Sequence, residues 1–349
     1  MTELVEKLKN NKVLEKEEFV HLLQNRNEMI ADILKNEAVA LRKEHYANKI
    51  YVRGLIEFTN NCKNDCYYCG IRRSNANAER YRLTKEEILA CCADGYETGY
   101  RTFVLQGGED GFFTEEKISD IVYSIKEKHP DCAVTLSVGE HPKKTYKAWF
   151  DAGADRYLLR HETADSCHYA RLHPEKLTLE NRKACLYDLK EIGFQVGCGF
   201  MVGSPFQTFE TLAKDLLFIN ELSPQMVGLG PFIPHHDTPF KDERGGELEL
   251  CLFLLSVVRI MLPKVLLPAT TALGTIHPQG RELGILSGAN VCMPNLSPES
   301  VRKKYMLYDN KLSSGKESAQ YLAQLSDDME KIGYRVVVDR GDHADKTKQ

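Results

Sequence analysis

Three closely spaced cysteines are the residues of this chain with the clearest capacity for chemistry. Cys62, Cys66 and Cys69 lie in the run C-K-N-D-C-Y-Y-C, directly after an apolar segment over 51–58 that is predicted to be a strand. A cubane iron–sulfur cluster has four irons and normally takes four thiolates. A trio without a fourth cysteine nearby would leave one iron open to a small molecule. The spacing therefore predicts one 4Fe–4S cluster with an open coordination site.

The alternatives for this trio are a zinc site or free thiols. A structural zinc ion needs four ligands, and neither a second cysteine pair nor a Cys/His group follows at zinc-finger spacing. The other eight cysteines are scattered, and each is most simply a small buried apolar residue. His235 and His236 suggest a metal site, but a loop explains them equally well, and neither is assigned as a ligand.

The composition argues against nucleic acid and membranes as partners. The 349 residues include 46 basic and 50 acidic ones, for a formal net charge of −4, whereas proteins that bind polyanions carry an excess of positive charge. Residues 1–11 are charged and lack the apolar core of a signal peptide. The longest apolar run, 250–258, is too short to span a bilayer. We expect a soluble, cytoplasmic protein without disulfides.

Eight short apolar runs that alternate with helical segments predict the fold. The runs cover 51–58, 101–106, 133–138, 156–161, 195–200, 225–230, 265–270 and 289–293. Helical periodicity occurs between them, for example over 84–98, 115–128, 178–192, 209–222 and 248–262. This alternation predicts a parallel α/β fold, and the count of eight favours a closed (β/α)8 TIM-type barrel over an open doubly wound sheet.

The barrel is predicted to span residues 47–300 and to have a helical addition at each end. Residues 1–46 are expected to form an N-terminal helical extension of two or three amphipathic helices, and 301–349 a short C-terminal helix and tail. The last dozen residues are expected to be loose. The charged ones among them are Asp339, Arg340, Asp342, Asp345, Lys346 and Lys348.

Charged residues within the first strand predict an internal cavity for a polar or charged ligand. Strand alternation places Arg53 and Glu57 on the face opposite Val52 and Ile56, and the apolar face should meet the helices. An ordinary barrel interior is apolar, and buried charges need partners or water. The alternative is that Arg53 and Glu57 only pair with each other.

Further candidates lie where later strands end, which is the side on which such barrels carry their active sites. Gln106, Gly107, Gly108 and Glu109 follow the second strand. The glycines would allow close backbone approach, and Glu109 could accept from an ammonium group. Arg182, in the helix after the fourth strand, could clamp a carboxylate in bidentate fashion.

Several blocks of sequence resemble those of one family. The blocks are R-Y-L-L-R-H-E-T-A (156–164), G-P-F-I-P-H-H-D-T-P (230–239), P-A-T-T-A-L-G-T-I (268–276) and G-A-N-V-C-M-P-N (288–295). With the cysteine trio, they are similar to the HydE family of radical S-adenosylmethionine (SAM) FeFe-hydrogenase maturases, whose relatives include biotin synthase. The similarity covers about residues 45–310.

The resemblance implies a complete barrel with one SAM-binding 4Fe–4S cluster and reductive cleavage of SAM to a 5′-deoxyadenosyl radical. Family members act in assembling the diiron subcluster of the hydrogenase H-cluster, on a cysteine-bound iron–carbonyl–cyanide precursor. The resemblance also implies companion maturases, a one-electron reductant such as ferredoxin or flavodoxin, and sensitivity to oxygen. Beyond the cluster and SAM, no catalytic side chain is assigned.

The residue patterns and the resemblance together give two groups of candidate site residues. Those assigned to cofactor binding are Tyr68, Gly107, Gly108, Glu109, Glu162 and Arg182. Those assigned to the substrate cavity are Arg53, Gln106, Thr135, Arg160, Thr270, Thr271 and Tyr305.

One departure from the family pattern and two rival functions bear on this interpretation. Some members carry a second cysteine trio near the C-terminus for an accessory cluster, but residues 301–349 contain no cysteine, which predicts a single cluster.

The nearest rival function is that of the lysine mutase that forms 3-methylornithine, and the blocks at 230–239 and 268–276 favour the maturase. A rival of another class is a non-catalytic iron–sulfur carrier, against which the glycine-rich SAM elements argue.

Overall fold

Alternating helices and strands make up the computed structural model, which describes residues 1–312 and 318–346. The helices are α1 (Thr2–Asn11), α2 (Lys16–Gln24), α3 (Glu28–Tyr46), α4 (Lys85–Glu97), α5 (Glu115–Lys128), α6 (Lys143–Asp151), α7 (Ser166–Leu172), α8 (Leu179–Ile192), α9 (Phe209–Leu222), α10 (Leu248–Met261), α11 (Thr271–Ile276), α12 (Gly280–Leu286), α13 (Glu299–Arg302) and α14 (Ser318–Lys331). The strands are β1 (Lys49–Val52), β2 (Gly54–Thr59), β3 (Thr102–Gly107), β4 (Ala133–Ser137), β5 (Arg156–Leu158), β6 (Gln195–Cys198), β7 (Met201–Val202), β8 (Met226–Val227), β9 (Gly230–Pro231), β10 (Val291–Cys292) and β11 (Arg335–Val337).

The parallel strands close into a barrel. Strands β2, β3, β4, β5, β6 and β8 form one sheet in that order. Bridges from Met226 to Leu266 and from Pro268 to Val291 supply the seventh strand position, and β10 pairs with β1, which leads directly into β2. The seventh position forms only single bridges, in part because Pro268 has no N–H to donate. The predicted (β/α)8 barrel is confirmed, and the closed order excludes the doubly wound sheet.

The N-terminal helices cover the outside of the barrel. Helix α10 is buried from Leu250 to Met261 except at the half-buried Leu252, because α1 and α3 pack over the face that a barrel helix normally turns to solvent. The sequence periodicity located α4, α5, α8, α9 and α10 to within a residue or two, and the capping box of Thr84 and Glu87 is present at the start of α4. In the part of the chain that the structure describes, no helix is long and apolar enough to cross a membrane.

The C-terminal segment is not loose, contrary to the prediction for residues 339–346. Strand β11 pairs in parallel with β1, and the chain then crosses the N-terminal end of the barrel. There Asp342 accepts hydrogen bonds from the buried Arg156 (2.6 Å) and from Gln195 (2.9 Å), and the Arg340 carbonyl accepts from Thr102 (2.7 Å). Asp342 and Arg340 neutralise charges of the barrel, on Arg156 and Asp155, whereas Asp345 and Lys346 remain exposed. Lys348 lies outside the described residues.

Candidate active site at the barrel mouth

The cysteine loop follows β2 and lies at the C-terminal end of the barrel. Cys62, Cys66 and Cys69 are free, half-buried thiols. The loop is tied to its surroundings by backbone hydrogen bonds, among them Tyr67 N–H to the Leu172 carbonyl (3.0 Å). Burial and the neighbouring thiolate charge of Cys62 raise the pKa of Cys69 to about 12. Three such thiolates are stable together only beside positive charge, which a metal cluster supplies.

A single arginine, absent from the sequence-based candidates, closes the cysteine loop. The Arg80 guanidinium donates to the carbonyls of Asn60 (2.6 Å) and Ile71 (2.8 Å), on either side of the trio. It also donates to the carbonyl of Arg72 (2.6 Å) and to that of Asn75 (3.1 Å). The loop geometry therefore depends on one side chain, Arg80, which donates hydrogen bonds to four backbone carbonyl groups.

Two glycines at the end of β3, Gly107 and Gly108, allow β2 and the cysteine loop to lie close to this strand. A Cβ atom at Gly108 would lie 2.3 Å from the Asn61 carbonyl oxygen and 2.7 Å from Cys62 Cβ. A Cβ atom at Gly107 would lie 2.7 Å from Thr59 Cγ2. Only glycine fits at both positions, because Gly107 lies against β2 and Gly108 against the cysteine loop itself.

The carboxylate of Glu109 is buried and has protein partners. It accepts from the Glu140 backbone N–H (2.9 Å) and pairs with Lys63 Nζ (3.1 Å). Arg182 forms an ion pair with the Glu140 carboxylate and donates to the Arg160 carbonyl (2.9 Å). Glu109 and Arg182 therefore meet through Glu140, which the sequence did not single out.

Several predicted site residues carry buried polar atoms that have no hydrogen-bond partner among the described residues. They are Glu162 Oε2, Arg160 Nε and Nη2, Thr135 Oγ1 and Thr270 Oγ1. Arg160 Nη2 and Glu162 Oε2 lie 2.9 Å apart as an ion pair, but outside hydrogen-bond geometry. Burying polar groups without a hydrogen bond is costly. We therefore interpret these atoms as ones that would contact a bound ligand.

Tyr68 has a defined hydrogen-bond polarity. His173 Nδ1 donates to the Tyr169 carbonyl (3.0 Å), so neutral His173 accepts at Nε2, and Tyr68 donates its hydroxyl proton there (3.2 Å). Burial lowers the pKa of His173 to about 3, which keeps the ring neutral. His173 is another contributor that sequence reasoning missed.

The remaining candidates lie around the barrel interior. Gln106 Nε2 is 3.4 Å from the hydroxyl of the buried Tyr305. Thr271 begins α11, and its carbonyl accepts from Thr275. A Cβ atom at Gly230 would lie 2.7 Å from Thr270 Oγ1, so this glycine admits the threonine hydroxyl.

Arg53 and Glu57 are both buried but do not pair with each other. Glu57 accepts from Asn295 Nδ2 (2.8 Å) and from Lys311 Nζ, whereas Arg53 Nη1 contacts Met226 Sδ (2.9 Å). Arg53 Nε and Nη2 have no partner within the described ranges. Arg53 therefore has N–H groups in the barrel interior that are free to donate to a ligand. Lys311, from the segment after α13, neutralises the charge of Glu57.

His235, His236 and Asp309 place one ligand atom each within 4.8 Å of one another. His236 Nδ1 lies 2.6 Å from Asp309 Oδ1. However, His235 Nδ1 accepts from the Asp237 backbone N–H (3.1 Å), so its Nε2 carries the proton and faces Gly70. The ring is therefore used in packing against the cysteine loop.

Comparisons with known proteins agree with the fold and with the cysteine loop described above. The model of the radical SAM superfamily matches residues 56–219. The chain is 46% identical over 304 residues to the FeFe-hydrogenase maturase subunit HydE of Thermotoga maritima, with 86% of each chain covered. It is 28% identical over 281 residues to 3-methylornithine synthase of Methanosarcina barkeri, with 80% of this chain and 79% of that protein covered.

Solved structures with the same architecture include methylornithine synthase (PylB). That structure matches with a TM-score of 0.84 at 25% identity and covers 99% of both chains. HydG, a maturase of the FeFe-hydrogenase, matches with a TM-score of 0.79 at 22% identity over 95% of this chain and 75% of that chain. The HydG likeness shows the fold alone.

Proposed function

Because the chain belongs to the HydE family of the radical SAM superfamily, we propose that it cleaves SAM reductively during assembly of the diiron subcluster of the FeFe-hydrogenase H-cluster. The observation that carries this proposal is the 46% identity over 86% of the chain, combined with the cysteine loop at the barrel mouth. The identity to 3-methylornithine synthase is lower, at 28%. For this reason the activity of an amino-acid mutase, the formation of 3-methylornithine from lysine, is the second candidate function.

Cys62, Cys66 and Cys69 would hold one 4Fe–4S cluster. The donor set fits, because the three thiols are free and no fourth cysteine lies close by in the sequence. The steric need for glycine at position 108 supports the same assignment, since it brings the loop against β3. Residues 301–349 contain no cysteine, so we propose no accessory C-terminal cluster.

The SAM site would be formed by Tyr68, Gly107, Gly108, Glu109, Glu162 and Arg182. When bound, the cluster supplies one electron that splits SAM into methionine and a 5′-deoxyadenosyl radical. Glu162 Oε2 is buried and has an ion-pair contact with Arg160 but no hydrogen bond, so it suits an ammonium or ribose hydroxyl donor. Arg182 supplies positive charge for a carboxylate, and Glu140 holds its guanidinium in place.

The substrate would occupy the barrel interior between Arg53, Gln106, Thr135, Arg160, Thr270, Thr271 and Tyr305. Unused hydrogen-bond donors of Arg53, Arg160 and the two threonines Thr135 and Thr270 point to a ligand rich in acceptors. An anionic cysteine-bound iron–carbonyl–cyanide precursor has this character. The side chains would bind and orient it, and the closed barrel would exclude water and oxygen from the radical.

The proposed setting is a cytoplasmic, oxygen-sensitive enzyme that works beside companion maturases and receives electrons from a ferredoxin or flavodoxin. The test is hydrogen evolution by an apo FeFe-hydrogenase matured anaerobically with the two companion maturases, with and without this protein. We expect strict dependence on the protein, abolished in Cys66→Ala. Absence of dependence, despite an intact cluster and release of 5′-deoxyadenosine, would favour the amino-acid mutase.

A further inference from the structure

A row of packed aromatic rings connects the cysteine loop to the loop after β7; its middle ring, Phe240, is buried, and Phe206 at its far end is exposed. Tyr67 lies between Cys66 and Tyr68 and packs edge-to-face on Phe240 (6.2 Å between ring centroids), which packs in the same way on Phe206 (5.9 Å). Arginines stand at both ends. Arg72 lies 5.7 Å from the centre of the Tyr67 ring, and Arg171 lies 3.2 Å from the centre of the Phe206 ring. We call these five residues the arginine–aromatic strip.

Phe206 is held at the surface by a strained and well-fixed loop. Phe206 is 40% exposed. Its backbone φ angle is +68°, in a region that bulky residues rarely occupy. The Gln207 side chain fixes the loop by accepting from Gly203 N–H (2.6 Å) and donating to the Met201 carbonyl (2.7 Å). An exposed aromatic ring gains little for folding, so this strain is better explained by recognition of a partner.

Two exposed arginines at the strip, Arg171 and Arg73, are available for an intermolecular contact. Arg171 and Arg73, the residue next to Arg72, are exposed, and neither forms an ion pair within the described residues. Arg72 is partly neutralised by Asp65, at 2.7 Å. Exposed cations without a carboxylate partner attract an acidic protein to this part of the surface.

We propose that the arginine–aromatic strip is the docking surface for an acidic one-electron donor protein. This inference rests on the proposed function, because only a reducible cluster needs such a donor. Tyr67 directly follows the cluster ligand Cys66, so a protein bound on the strip lies next to the cluster loop. One electron would leave the donor, which would be oxidised, and would reduce the cluster that Cys62, Cys66 and Cys69 would hold.

The test compares a protein donor with a chemical one. Arg171→Glu and Phe206→Ala are assayed for SAM cleavage with reduced flavodoxin and, separately, with dithionite, which needs no docking surface. Matched controls are Lys128→Glu and Tyr123→Ala, an exposed cation and an exposed aromatic residue on α5. We expect each strip variant to raise the KM for flavodoxin about tenfold, as loss of a central contact does, and to leave the dithionite rate unchanged.

Direct binding provides a readout that does not depend on turnover. Titration calorimetry of flavodoxin into the reconstituted protein should show about tenfold weaker binding for Arg171→Glu, with a smaller difference at high salt. Unchanged KM and unchanged affinity in both strip variants would overturn the proposal. A strip variant that also loses activity with dithionite is damaged in more than docking. In that case Arg73→Glu, which leaves the ring contacts of the strip intact, is tested instead. Its KM for flavodoxin and its affinity for flavodoxin then decide the proposal. Failure of the wild type with dithionite would refute the proposed function, and flavodoxin affinity would then decide on the surface alone.

Discussion

His161 and Asp215 form a fully buried pair behind the turn that carries Glu162, with Nε2 and Oδ1 3.4 Å apart. His161 Nδ1 accepts from the Gly199 N–H (3.3 Å), so its Nε2 proton faces the carboxylate. Asp215 Oδ1 also accepts from the Ala164 N–H (2.5 Å). Glu162 itself has a φ of +64°. The pair therefore fixes both sides of a strained turn that presents the Glu162 carboxylate to the proposed SAM site.

Removing the Asp215 carboxylate should weaken SAM binding without removing the cluster. In Asp215→Ala, the Ala164 N–H loses its buried acceptor, which costs about 1–3 kcal/mol, and the turn relaxes. We expect the dissociation constant for SAM, measured by equilibrium binding to the reconstituted protein, to rise about tenfold with iron content unchanged. Asp215→Asn keeps an acceptor oxygen and should restore most of the affinity. The control Leu216→Ala, a core truncation on the same helix, should lower stability alone; an equal loss of SAM binding there would contradict the positioning role.

The sequence anticipated the barrel closely because its strands and helices differ sharply in periodicity. It did not reveal Asp215 as a site residue, although one signal was present. Asp215 lies at helical spacing from Leu212 and Ile219, on the apolar side of α9, where an acidic residue has to find a buried partner. The identity of that partner, His161, depends on how α9 packs against β5, which one sequence does not specify.

The C-terminal segment shows a different limit. A run of charged residues normally indicates a solvated surface, and residues 339–346 fit that pattern in sequence. The buried Arg156 at the base of the barrel reverses the outcome, because it needs a carboxylate and Asp342 is its ion-pair partner. Lys311 was missed for the same reason, since its partner Glu57 is more than two hundred residues away.

The glycine at position 108 should be indispensable for the cluster. In Gly108→Ala, the new Cβ would lie 2.3 Å from the Asn61 carbonyl oxygen and would push the cysteine loop away from β3. We expect iron content after anaerobic reconstitution, and the cluster absorbance with it, to fall severalfold. Gly111→Ala is a matched control in the same loop, because its Cβ would meet nothing within 4 Å. Full iron loading of Gly108→Ala would show that the loop can shift freely.

Two arginines near the cysteine loop should separate SAM binding from cluster binding. Arg182→Ala removes a charge-assisted contact for a carboxylate, so we expect SAM affinity to fall about tenfold while iron content stays the same. Arg80→Ala removes four hydrogen bonds to carbonyls around the trio and should lower iron content. Iron assay and SAM titration on both variants check this. Loss of iron in Arg182→Ala would mean that the residue is structural.

The ion pair between Asp342 and Arg156 should contribute to stability in a pH-dependent way. Burial alone would raise the pKa of Asp342, but Arg156, Gln195 and Arg340 hold it well below its usual range. A carboxylate with a lowered folded-state pKa stabilises the protein above the unfolded-state pKa of about 3.9, and this stabilisation is lost as the pH falls through the folded-state value.

In Asp342→Asn, the buried guanidinium of Arg156 loses its counter-charge, and we expect the free energy of unfolding at pH 7 to fall by about 3–5 kcal/mol. Urea denaturation followed by circular dichroism should show a constant deficit from pH 8 to pH 5 and a shrinking one only below about pH 4. The control Asp151→Asn breaks an exposed pair with Lys147 and should cost no more than about 0.5 kcal/mol. An equal effect of both substitutions would mean that the pair between Asp342 and Arg156 contributes no more than an exposed pair, because the Asp342 carboxylate would then behave like one in solvent.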